Sequence, residues 1–145
     1  MDKQEQTFKQ ETRRRLACYH TRRQSIQNLE AEIRRLEAAA ERLGSVQYDA
    51  VRVKGGGDRE EALLRNIALR DELKQRLSDT RQWVAVMDGA LGMLGEDDRM
   101  AVEVYLSQEP YAAETLAERI GVERTTVYRR AGRALNRLTE VLFGM

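Results

Sequence analysis

The sequence predicts an all-α fold, a long coiled-coil hairpin followed by a domain of shorter helices. Three observations predict it. Charged residues make up 34% of the 145 positions and aromatics 6%, with a single proline, a balance that favours long solvated helices over a large globular core. Apolar residues in the first half recur at alternating steps of three and four, the seam of a coiled coil. Glycines and acids after residue 89 then divide the chain into shorter segments.

The first helix carries its seam at Ile26, Leu29, Ile33, Leu36, Ala40 and Leu43, with Arg22 interrupting it locally. Glu30, Glu32, Arg34, Arg35, Glu37, Glu41 and Arg42 fill its outer faces with mixed charge, which keeps a long helix in solution. Gly44 and Ser45 are expected to end it. The following VQYDAVRVKGGGD, within a connector at 45–58, reads as extended chain through Val46, Tyr48, Val51 and Val53, then as a flexible turn through Gly55, Gly56 and Gly57. Asp58 is placed to cap a second helix. Its apolar stripe is expected at Leu63, Ile67, Leu69, Leu73, Leu77, Val84, Met87, Leu91 and Leu94. The two helices are expected to pair as an antiparallel hairpin over residues 1–88.

Gly89, Gly92 and Gly95 weaken the second helix near its end, so a second domain is expected over 89–145. Glu96, Asp97 and Asp98 put negative charge where a helix amino terminus favours it. That helix should run through Met100, Val102, Tyr105 and Leu106 and stop before Pro110.

Residues 113–138, AETLAERIGVERTTVYRRAGRALNRL, carry a helix-turn-helix pattern. Two helices meeting at a sharp turn need a small residue at closest approach and a left-handed residue between them, and Ala117 and Gly121 meet those needs. Leu116, Ile120, Val122, Val127, Ala131, Leu135 and Leu138 recur at helical spacing and can close a small core. From Arg119 to Leu138 there are six arginines and one acid, Glu123, on a chain whose net charge is only +1. Such one-sided charge suits duplex DNA. Arg124, Thr125, Tyr128 and Arg129 are expected at base edges, and Thr126, Arg130, Arg133 and Arg137 at phosphates. The plainer alternative is a helical pair with an arginine-rich solvated face.

With Leu94, Arg99, Val102, Tyr105, Leu116, Ala117, Gly121, Val122 and Val127 before it, the ALxxL tail at Ala134, Leu135 and Leu138 makes this third of the chain resemble region four of sigma factors. The wider layout of charged helix, YDAVRVKGGGD connector, second helix and this carboxyl end resembles small phage and prophage transcriptional regulators of the ArpU and RinA type. The resemblance implies a regulator of phage late genes, such as those for packaging and lysis, that binds double-stranded promoter DNA in the cytoplasm of a bacterial host, with RNA polymerase as a further candidate partner. Two positions depart from the sigma pattern: Arg130 stands where an apolar residue is usual, and Glu123 replaces the usual Thr or Ser cap. A complete sigma factor is not expected, because the amino-terminal half lacks an aromatic-rich segment that would melt promoter DNA.

Other chemistry finds little support in the residues. Cys18 and His20, each unique in the chain, point about 200° apart on a helix, so neither a metal site nor a nucleophile-histidine centre is expected. No catalytic role and no cofactor are expected. Lys54 precedes its glycines, whereas a phosphate-binding loop needs the lysine after them. Asp97 and Asp98 fit helix-start charge better than a magnesium site. Arg13, Arg14, Arg15, Arg22 and Arg23 form a second basic cluster, either tracking phosphates or merely solvated, and Trp83 is expected to pack against the hairpin.

The start MDKQEQTFKQETRRR lacks the apolar core of a secretory signal, and no stretch approaches the about 18 apolar residues of a membrane span. A cytoplasmic protein is expected. An isolated hairpin exposes apolar stripe, which predicts a homo-oligomer through the amino-terminal helices. Two rival functions remain open: a phage packaging subunit of the small-terminase kind, or a coiled-coil interaction scaffold.

Overall fold

A computed structural model describes residues 3–49, 56–107 and 109–145. Every regular element among them is a helix: α1 (Lys3–Asp49), α2 (Gly56–Gly92), α3 (Glu96–Ala101), α4 (Glu103–Leu106), α5 (Ala112–Ile120) and α6 (Arg124–Phe143). The fold is all-α, as the periodicity predicts.

Helix α1 does not stop at Gly44 and Ser45 but continues to Asp49, taking Val46 and Tyr48 into the helix. An interior glycine costs only about 1 kcal/mol relative to alanine, too little to end a helix by itself. At the other side of the expected extended connector, α2 already begins at Gly56. Asp58 therefore lies in the first helical turn, where its charge meets the positive end of the helix dipole. The connector's remaining residues, 50–55, lie outside the described residues.

The chain forms two compact units, one joining Met1–Arg22 with Trp83–Met145 and the other comprising Arg23–Gln82. We call them the carboxyl-terminal unit and the hairpin unit. This division differs from the expected boundary at residues 88 and 89, which falls inside α2. The physical reason lies in α6, whose second half presents Ala134, Leu135, Leu138 and Thr139, all buried. Short helices alone leave such a face wet. Thr12 and Leu16 of α1 and Met87 and Leu91 of α2 are buried in the same unit. The hydroxyl oxygens of Thr12 and Thr139 are 2.9 Å apart, one donating to the other, and the Phe8 and Phe143 rings lie 4.9 Å apart between centroids.

Within this unit α2 ends in a turn closed by the Met93 and Leu94 N–H groups on the carbonyls of Ala90 and Leu91. Gly95 precedes α3, whose first turn holds Glu96, Asp97 and Asp98 as expected. The helix expected from there through Leu106 is divided in two at Val102, whose side chain is fully buried.

In the hairpin unit, Glu30 pairs with Arg81, Glu37 with Lys74 at 3.7 Å, and the Asn66 amide donates to the Leu36 carbonyl at 2.9 Å. Residue numbers rise along α1 as they fall along α2, so the helices pair antiparallel. Ile33 and Leu36 of the expected seam are buried, as is Leu77. The stripe on α2 departs from expectation: Ile67 and Leu69 are 38% and 43% exposed. Counting back from Leu77 in alternating steps of four and three reaches Leu73, Arg70, Asn66 and Leu63, so the inward places at 70 and 66 go to polar side chains. Asn66 is buried, and its Oδ1, like the Arg70 Nε, has no hydrogen-bond partner among the described residues.

Candidate nucleic-acid interface

The turn between α5 and α6 is built on Gly121, which adopts φ +73°, a conformation that costs other residues about 1–2 kcal/mol. The N–H groups of Gly121 and Val122 both donate to the Ala117 carbonyl at 3.0 Å, the wrap-around closure of a glycine-capped helix end. Chain direction thus reverses over Gly121, Val122 and Glu123 before α6 begins. Ala117 is buried beside Ala113, Leu116 and Val127, and Met100, Val104, Ile120 and Val122 pack against this cluster. Both roles assigned to Ala117 and Gly121 are therefore filled.

That cluster sets the rotation of α6. With Val127, Ala131, Ala134, Leu135 and Leu138 buried, helical geometry turns Arg124, Thr125, Tyr128, Arg129 and Arg133 outward, and all five are exposed. Tyr128 is 51% exposed. Thr126 and Arg130 are half-buried instead. Arg130 lines a cavity of about 230 Å³ with Asp97, Met100, Leu116, Ile120 and Val127, so its place lies toward α3 and α5 rather than on the outward face.

The arginines divide by their partners. Arg124 meets Glu114 at 3.2 Å, Arg137 meets Asp98 at 3.3 Å, and Arg119 meets Glu103 at 3.0 Å. Arg129 and Arg133 make no ion pair among the described residues, which leaves two guanidinium groups one helical turn apart on the outward face. No sequence spacing announced the carboxylates of Glu114 and Asp98, because each reaches α6 from another helix, α5 and α3 respectively.

The second basic cluster is engaged within the fold. Arg13 lies over the Tyr105 ring at 5.2 Å, Arg15 over Phe143 at 4.8 Å and Arg22 over Trp83 at 4.3 Å, each a cation held against an aromatic face. Arg14 pairs with Glu11 at 2.7 Å. That hydrogen bond, with Arg15 adding to it, holds the Glu11 carboxyl well below the usual range, at about 2. Among the described residues no three His, Cys, Asp or Glu side chains gather closely enough to hold a metal ion. No described helix is long and apolar enough to cross a membrane.

No family model, curated protein or solved structure matches the chain. The interface stands on its own geometry: a tight left-handed turn, a helix whose buried side is fixed by its core, and an outward side bearing Thr125, Tyr128, Arg129 and Arg133. The part of its support that sequence reading missed is Thr12 and Leu16. They continue the steps of four and three back from Tyr19, a periodicity visible in the sequence upstream of the expected seam.

Proposed function

We propose that the protein is a sequence-specific duplex DNA-binding regulator of transcription, with α6 as the helix that enters the major groove and no catalytic role. The observation that carries this reading is the outward face of α6, where exposed Thr125 and Tyr128 are followed by Arg129 and Arg133, which make no ion pair among the described residues. Arg129 supplies a bidentate donor for guanine, Thr125 and Tyr128 supply hydroxyls, and Arg133 continues the positive line toward phosphate. Arg124 and Arg137 already hold carboxylates, so they serve phosphates by exchanging one anion for another. The resemblance to sigma region four and to phage late regulators makes promoter DNA the proposed target and RNA polymerase a proposed second partner.

Self-association belongs to the hairpin unit in this reading. Leu64, Ile67 and Leu69 stand 65%, 38% and 43% exposed on α2, a cost in water that a second copy relieves. Sedimentation across a concentration series should show association, and a monomer at every concentration removes that part of the proposal.

The function is tested by selecting bound sequences from random duplex DNA. One enriched motif is expected, with binding that weakens steeply as salt rises. Arg129→Ala should lose about 1–3 kcal/mol of affinity and relax one base preference. Binding without any motif, through ring-shaped oligomers, points to a packaging subunit instead, and no salt-dependent binding at all leaves an interaction scaffold.

A further inference from the structure

Glu123 occupies the position before α6 with the extended backbone of a helix cap, φ −76° and ψ 152°, yet its side chain makes no capping hydrogen bond. A shorter Asp, Asn, Ser or Thr at this place ordinarily bonds an N–H of the first turn, a bond the longer glutamate leaves unmade here. Nor is the charge neutralised by its neighbour, because the Arg124 guanidinium is held by Glu114. Glu123 is exposed, makes no ion pair among the described residues, and adjoins Arg124 and Thr125 at the end of the helix that reaches base edges in helix-turn-helix docking.

A free carboxylate there is repelled by phosphates and by the acceptor atoms of guanine and thymine. Two donors remain on the major-groove edges, the amino groups of cytosine and adenine. Adenine sets its N7 acceptor beside that amino group and so opposes a carboxylate, whereas cytosine presents the amino group without an adjoining acceptor of its own. Resting on the DNA-binding reading above, we propose that Glu123 is a specificity-determining residue that accepts a hydrogen bond from the N4 amino group of one cytosine in the target duplex. It lowers affinity for every other base at that position, so it discriminates more than it attracts.

The test uses the full chain and two variants, Glu123→Ala and Glu123→Gln, each selected against the same random duplex pool and then titrated on single-base variants of the wild-type site. The wild type should require cytosine at one position. Glu123→Ala should lose that requirement there and nowhere else, with discrimination falling on the order of tenfold. Glu123→Gln should move the preference toward adenine, whose N6 and N7 suit an amide. A motif that is identical in all three proteins overturns this assignment while leaving DNA recognition intact. A uniform rise in affinity across all sequences on Glu123→Ala also overturns it, since that is the behaviour of an acid that only repels. Absence of any wild-type motif overturns the sequence-specific reading itself, and this inference with it.

Discussion

In the carboxyl-terminal unit Leu16, Met87, Val102 and Leu138 are fully buried, whereas the best-buried apolar side chains of the hairpin unit, Ile33, Leu36 and Leu77, keep 7–8% of their surface in water. The same two long helices contribute to both. Two helices lying side by side shield one narrow seam, and their flanks stay wet. In the carboxyl-terminal unit α1 also meets α6, through Thr12 with Thr139 and Phe8 with Phe143, and there Leu16 becomes fully buried. The difference places the fully buried apolar core in the unit that carries the candidate interface, although both units keep exposed apolar side chains, Leu64, Ile67 and Leu69 in the hairpin unit and Val86, Met93 and Val141 among those of the carboxyl-terminal unit.

The most severe way to test that difference is to remove a buried side chain from each unit. Leu16→Ala should cost about 4–5 kcal/mol, the upper range for a site whose surroundings cannot collapse, and Leu36→Ala about 2–3 kcal/mol, because a two-helix layer relaxes more easily. Urea denaturation gives the totals, and amide hydrogen exchange shows which unit opens. Equal costs would break the comparison.

A smaller and more local perturbation is Gly121→Ala. No atom lies within 4 Å of a Cβ added at Gly121, so the expected loss of about 1–2 kcal/mol is conformational alone. It should speed exchange in α5 and α6, weaken DNA binding, and leave exchange in residues 23–43 unchanged.

The smallest effect concerns acid. Glu11 in the carboxyl-terminal unit is held at about 2 by Arg14 and Arg15, and Glu32 in the hairpin unit is likewise lowered by its hydrogen bond to Arg35. A carboxyl lowered in the folded state stabilises fully above its unfolded value, near 4.5 for Glu11, and that contribution disappears as the pH falls toward the folded value. Glu11→Gln should therefore lower stability slightly at pH 7, with the difference shrinking below about 4.5 and vanishing only once the pH has fallen through about 2, read from the pH dependence of the melting temperature. Glu32→Gln should follow the same direction, and both differences should shrink in high salt because the pairs are solvent-facing.

How much of this was legible from residues differs by element. The helix-turn-helix was, because Gly121 can take a backbone conformation that other residues resist and because Leu116, Val127, Leu135 and Leu138 leave one consistent buried side. The end of α1 was not. Gly44, Ser45 and Val46 express weak local preferences, and these yielded to continued helix as far as Asp49. The stripe on α2 was misread at Ile67 and Leu69 because hydrophobicity alone placed them inward, while the alternating steps from Leu77 required positions 66 and 70, occupied by Asn and Arg. The ion pairs that hold Arg124 and Arg137 were invisible, since Glu114 and Asp98 meet α6 only after the chain has turned.

The sequence by itself determined the helical class, the antiparallel hairpin, the left-handed turn and the outward side of α6, because each follows from local backbone preference or from a period along one helix. Only the tertiary structure decided that the first turns of α1 share a core with α6, that Arg13, Arg15 and Arg22 lie on aromatic rings, and that Arg129 and Arg133 on the outward face of α6 make no ion pair among the described residues. Those outcomes depend on which side chains remain uncovered after the helices pack, and packing joins residues such as Thr12 and Thr139 that no local pattern connects.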